Sequence, residues 1–149
     1  MTSATRDPAL DRLEALVGEW EMEMTHPALK SPFYGRTKFE WLEGRLFLIW
    51  RWEAAPNTVP TQISIIGGGD KPGVWPMHYF DSRGVSRVYT VSFEAGVWKM
   101  WRDHPGFWQR ATGTFEDDGR TIRWLTELRE REDDDWKPDL EVIYRRVKP

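Results

Sequence analysis

Hydrophobic and polar residues alternate along most of this chain with a period of two. Over residues 19–24, glutamates alternate with Trp20, Met22 and Met24. The same alternation returns over residues 36–41. This period is typical of β-strands with one buried face and one face in water. The first part of the chain is therefore predicted to form strands of an antiparallel sheet.

Further runs of the same kind follow at regular intervals, separated by short segments rich in Gly, Pro and Asp. Such segments are typical of tight turns. The predicted strands lie near residues 19–24, 36–41, 45–53, 61–66, 74–80, 85–93, 97–103, 107–115, 121–129 and 137–147. We predict an all-β, up-and-down antiparallel β-barrel of about 8–10 strands, because closing the meander removes its exposed edges.

One short N-terminal helix is predicted over residues 8–17, where apolar residues recur at helical spacing. Asp7 suits the N-cap, proline suits the first helical position, and Gly18 supplies the stop. Phe47 and Ile49 lie on the parity of their strand that should face solvent. We expect the helix to cover that part of the outer face.

Composition narrows the class of protein. The 149 residues suit one domain spanning 1–149, with residues 1–7 expected to be flexible. The formal net charge of −3 is small and charges of both signs are mixed, which argues against nucleic acid as a partner. Neither a secretory signal nor a membrane-spanning run is evident, so we expect a cytoplasmic protein that does not bind a membrane. The chain contains no cysteine, which excludes thiolate metal sites.

Two stretches resemble a known superfamily. The first is Gly18-Glu19-Trp20 at the start of the first strand, directly after the helix. The second comprises residues 78–84, 97–103 and 106–107. Together they resemble the calycins, which include lipocalins and fatty-acid-binding proteins, and most nearly a group of uncharacterised bacterial lipocalin-like proteins. The resemblance implies a single lipocalin-like barrel, with Trp20 at its closed end and an Arg such as Arg146 stacked on the Trp20 ring.

The resemblance also has limits. Between the first two strands there is no room for the helical lid of fatty-acid-binding proteins. Haem-binding relatives use a late histidine, and no histidine follows His104 in this chain. Haem binding is therefore an alternative of lower rank, and we predict no cofactor and no metal site.

The strand parities place aromatic residues and a few polar groups on the inner face, which is the composition of a small-molecule pocket. The ten tryptophans could line a cavity or simply fill it. We predict that a small apolar or amphipathic molecule binds there and that Arg102 or Gln109 orients it. The predicted ligand-binding residues are Phe39, Trp41, Trp50, Trp98, Arg102, Gln109, Trp124 and Tyr144.

Catalysis remains an open alternative, because aromatic barrels can promote isomerisation or cyclisation by positioning a substrate and donating a proton. The candidates would be His78, Tyr79, Arg102 and Tyr144, but no catalytic motif marks them. Residues 67–71 lack the ending of a phosphate-binding loop and are interpreted as a loop near the barrel mouth. Whether the chain forms a homodimer is left open.

Overall fold

The computed structural model describes residues 6–55 and 60–147. Ten antiparallel strands close into one barrel, in which consecutive strands pair and the last strand pairs with the first. The strands are β1 (Gly18–Thr25), β2 (Phe33–Trp41), β3 (Phe47–Ala55), β4 (Gln62–Gly67), β5 (Val74–Asp81), β6 (Ser86–Glu94), β7 (Val97–Arg102), β8 (Trp108–Glu116), β9 (Thr121–Arg129) and β10 (Lys137–Arg146). The predicted fold class is thereby confirmed.

A 3₁₀ helix, Pro8–Leu16, closes one end of the barrel, and its three leucines are buried there. Asp7 caps this helix by accepting a hydrogen bond from the Ala9 amide at 2.9 Å. Its other carboxylate oxygen accepts from the Gly73 amide at 2.8 Å and from the Trp75 indole at 3.0 Å. The Gly73 and Ala9 hydrogen bonds hold the pKa of Asp7 below its usual value.

Flexibility was predicted for residues 1–7, of which residues 1–5 lie outside the described residues. Within the described part, Arg6 and Asp7 make specific contacts, since Arg6 Nε donates to the Arg45 carbonyl at 2.9 Å.

Two expectations about the helix end are wrong. The helix inserts its leucines into the barrel end and does not cover the outer face of β3. Phe47 lies instead against the loop that follows β4, where a Cβ added to Gly68 would be 3.6 Å from the Phe47 ring. That loop lies at the end of the barrel that the helix closes, and not at the opposite, open end as predicted. In an up-and-down barrel the even-numbered strands all end at the side where β1 begins.

The predicted pairing of Trp20 with an arginine of the last strand is confirmed. Trp20 is fully buried, and its indole donates to the Leu16 carbonyl at 2.8 Å. The Arg146 guanidinium carbon lies 4.1 Å from the centre of the Trp20 ring. The same guanidinium donates to the carbonyls of Val17 at 2.6 Å and Ala15 at 2.8 Å. Arg146 therefore joins the last strand to the first strand and to the end of the helix.

Gly18 is required at this junction for two reasons. Its φ of 125° lies in the region that favours glycine, and a Cβ at this position would be 2.8 Å from Arg146 Nη1. The Gly-x-Trp pattern thus has a physical cause, because the glycine makes room for the arginine that stacks on the tryptophan.

Buried side chains pack the helix half of the barrel. Besides the helix leucines, this core consists of Trp20, Phe39, Leu48, Ile66, Trp75, Val91, Phe93, Trp98 and Ile122. The odd-numbered strands end at the opposite side, which we call the mouth. The free space inside the barrel lies between this core and the mouth.

We predict that Trp20→Ala lowers the free energy of unfolding by about 3–5 kcal/mol, because it leaves a large cavity and removes the ring beneath Arg146. Urea unfolding followed by circular dichroism measures the change. Trp101→Ala is the matched control, since Trp101 is only partly buried, and it should cost clearly less. Equal losses for the two variants would contradict the role given to Trp20.

Candidate functional site

A cavity of about 330 Å³ lies inside the barrel and opens at the mouth. Most of its wall is aromatic or aliphatic. Its lining comprises Trp50, Trp52, Pro60, Gln62, Met77, Tyr79, Arg83, Arg87, Tyr89, Met100, Phe107, Gln109, Trp124, Thr126, Leu128, Asp139, Leu140, Val142 and Tyr144. Every strand from β3 to β10 contributes to this wall.

Stacked aromatic rings form the floor of the cavity, where it meets the filled half of the barrel. Trp98 stacks on Trp124 with ring centres 4.0 Å apart, and Phe39 stacks on Trp50 at 5.1 Å. Trp98 also meets the edge of Trp50 at 5.2 Å and lies 6.3 Å from Tyr144. Because each ring is held by its neighbours, the floor is a rigid apolar surface.

Gly113 allows the stacked tryptophans to approach the wall. It lies on β8 between Trp98 on β7 and Trp124 on β9. A Cβ at this position would be 3.0 Å from each of the two rings and 3.3 Å from Ile122. A Cβ at this position would therefore have to displace the two rings or Ile122 by a few tenths of an ångström.

The structure brings four of the predicted ligand-binding residues to the cavity wall, namely Trp50, Gln109, Trp124 and Tyr144. Phe39 and Trp98 lie one layer below, where they support the rings that face the cavity.

Trp41 and Arg102 lie outside the cavity. Trp41 lies at the helix end, where its indole donates to Glu14 at 2.6 Å. It continues the inward parity of Phe39, but it is one layer nearer to the helix, so the core separates it from the cavity. Arg102 ends β7 at the mouth, donates to the Phe107 carbonyl at 3.2 Å and lines a groove on the outer surface.

The polar side chains near the mouth form hydrogen-bonded groups. The Tyr79 hydroxyl and the Arg83 guanidinium both donate to Asp81, each at 2.7 Å. These contacts hold the pKa of Asp81 well below its usual value, with Arg83 as the main cause. Arg83 therefore balances the negative charge of Asp81 at the rim of the cavity.

Two further groups complete the polar part of the wall. The Tyr89 hydroxyl donates to Gln109 Oε1 at 2.5 Å, and Asp139 pairs with His26 at 3.0 Å. Burial raises the pKa of Tyr89 and that of Tyr144, so both hydroxyls stay neutral donors at physiological pH.

Gln62 is a site residue that the sequence analysis missed. It is buried at the mouth end of β4, and its Oε1 accepts from Ser64 Oγ at 2.6 Å. Its Nε2 has no hydrogen-bond partner among the described residues. The pairing of β4 with β3 places Gln62 opposite Trp52 and Ser64 opposite Trp50, both of which face inward. This pairing of β4 with β3 identifies Gln62 as an inward-facing residue.

The arrangement offers binding groups but no assembled catalytic set. Of the catalytic candidates, Tyr79 and Tyr144 face the cavity, while His78 and Arg102 line the outer groove. None of the chain's three histidines, all within the described residues, lines the cavity.

Over residues 6–55 and 60–147, no group of three or more His, Cys, Asp or Glu side chains is placed to hold a metal ion. No helix in the described part of the chain has the length and apolar character needed to cross a bilayer.

Comparison with known proteins supports the fold. No protein-family model and no curated protein matches the chain. The crystal structure of Rv2717c from M. tuberculosis is similar over 97% of this chain and 100% of that one, with a TM-score of 0.68 and 13% identity. The S-type phycobiliprotein lyase CPES from Guillardia theta is similar over 93% and 92% of the two chains, with a TM-score of 0.64 and 10% identity. This chain therefore shares the barrel fold of these two structures.

We predict that Gly113→Ala lowers the free energy of unfolding by about 1–3 kcal/mol, because the added methyl group displaces the stacked rings. Chemical denaturation measures the loss. Adding Trp124→Phe should recover part of it, since the smaller ring leaves room for the methyl group. If the two changes are simply additive, the steric explanation is wrong.

Proposed function

We propose that this protein binds a small, largely apolar molecule in the barrel cavity and thereby carries or protects it. The observation that supports this most directly is the cavity itself. It is filled on the helix side, open at the mouth and walled mainly by aromatic and aliphatic side chains.

Its dimensions and lining agree with this role. Ligand pockets span about 300–1,000 Å³ and combine an apolar wall with a few placed polar groups. A volume of about 330 Å³ suits a compact ligand of a few fused or linked rings. Trp50 and Trp124 face the cavity with their rings nearly perpendicular, at 86°. Because neighbouring rings already hold them in place, ligand binding need not immobilise them.

The similar structures are consistent with the proposal. One of them is named an S-type phycobiliprotein lyase, and its barrel is similar to this one over most of both chains. We place the chain among the bacterial lipocalin-like proteins on the strength of the motifs around Trp20 and residues 78–84.

The ligand can be identified directly. Native mass spectrometry of the protein isolated from its own host, compared with the mass of the denatured chain, should reveal a retained small molecule. An absorption spectrum of the same sample tests the haem alternative, because bound haem gives an intense Soret band.

Ligand binding should change the emission of the wall tryptophans. We expect saturable quenching or a spectral shift of Trp fluorescence with at least one compound from a panel of fatty acids, aromatic polyketides, terpenoids and haem. Met100→Trp should weaken binding by about tenfold or more, because the indole occupies part of the cavity. Lys99→Trp is the matched control, since Lys99 is exposed on the outer face of the same strand, and it should bind as the parent does.

Binding that is unaffected by Met100→Trp would place the ligand outside the barrel. A complete absence of binding across the panel, together with no retained molecule in the native spectrum, would overturn the proposal.

A further inference from the structure

We infer that the ligand carries an anionic group, which binds at the mouth between Gln62 and Arg87 while the apolar body rests on the aromatic floor. This inference depends on the proposed function and specifies its ligand class. Two side chains of the cavity wall offer donors to such a group. Gln62 has a buried amide nitrogen without an acceptor, and Arg87 has a guanidinium without a carboxylate partner, in the described part of the chain.

The first is the Gln62 amide. Gln62 is only 3% exposed, and Ser64 already occupies its Oε1. Its Nε2 is a buried donor without a partner among the described residues. Leaving such a donor unpaired is costly, so a group that supplies an acceptor oxygen binds there favourably.

The second is the Arg87 guanidinium. It lines the cavity and lies 4.9 Å from the centre of the Phe107 ring. Within the described part of the chain it makes no salt bridge with any carboxylate. Asp139, the one carboxylate in the described lining, pairs with His26, and Asp81 at the rim pairs with Arg83. Arg87 lines both this cavity and the outer groove, is partly exposed, and has no carboxylate partner among the described residues.

The sheet register places the two donors on the same side of the barrel. Gln62 on β4 pairs with Asp81 on β5, and Arg87 on β6 pairs with Tyr79 on β5. One strand therefore separates them, and both side chains face inward near the mouth. A group with several oxygens can accept from the amide and balance the guanidinium at once. A neutral carbonyl would satisfy Gln62 but leave the charge of Arg87 unmatched.

Carboxylate, sulfonate and phosphate groups share this chemistry, and a matched pair of fluorescent probes tests it. The anionic probe is 8-anilinonaphthalene-1-sulfonate, and the neutral probe is N-phenyl-1-naphthylamine, which has the same ring system without the sulfonate. We expect the full-length protein to bind the sulfonate about tenfold more tightly. Met100→Trp should weaken binding of both probes, which locates them in the cavity.

Charge-changing variants then identify the residues. Arg87→Gln should weaken sulfonate binding by about tenfold and change binding of the neutral probe by less than about twofold. Gln62→Glu should also weaken sulfonate binding, because a carboxylate replaces the free amide donor and repels the anion. The variant still offers an oxygen to the Ser64 hydroxyl. Arg51→Gln is the matched control, since Arg51 lies on the outer face of β3 with its side chain 57% exposed, and it should leave both affinities unchanged.

Circular dichroism and chemical unfolding establish that each variant folds. Equal affinity for the two probes, or an unchanged affinity ratio in folded Arg87→Gln, would overturn the anionic head group while leaving the proposed function intact. If neither probe binds and the broader panel also fails, both proposals are wrong.

Discussion

The stacking of Arg146 on Trp20 is the contact on which the rest of this barrel depends. One guanidinium covers the indole and satisfies two carbonyls at the end of the helix. It thereby joins the last strand, the first strand and the helix at the point where the sheet closes. Burial lowers the pKa of Arg146, but an arginine stays charged in a folded protein, so the contact persists at physiological pH. Because this junction and the helix leucines close one end, the interior can open only at the other.

The tryptophans divide between the two halves of the interior according to the layer in which each lies. Trp20 and Trp75 are fully buried near the helix and donate to the Leu16 carbonyl and to Asp7, respectively. Trp50 and Trp124 face the cavity, and Trp98 supports them from below. A sequence so rich in tryptophan thus encodes both a packed core and the lining of a cavity, and the stacked Trp98–Trp124 pair forms the boundary between them.

The period-two pattern predicted a barrel of about 8–10 strands, and apolar residues at helical spacing predicted the N-terminal helix. The contact of Trp20 with an arginine was implied by the resemblance that Gly18-Glu19-Trp20 carries. Each of these predictions depends on a local signal. The site was harder to predict. Parity identifies the face of a strand but not the depth of a residue, so Trp41 was placed in the cavity although it lies beneath the helix. On β4 the hydrophobic rule misleads, since Ile63 and Ile65 face outward while Gln62 and Ser64 are buried. Only the pairing with β3, a long-range property, reveals this reversal.

Closure at one end also has a kinetic consequence. A ligand held as proposed would leave through the opening by which it entered, so its association and dissociation would share one barrier at the mouth. The residues that set residence time are therefore the rim groups, including the Tyr79–Asp81–Arg83 cluster and the Asp139–His26 pair. Exchange rates can in principle change through the rim alone, while the packed helix half retains the stability of the fold.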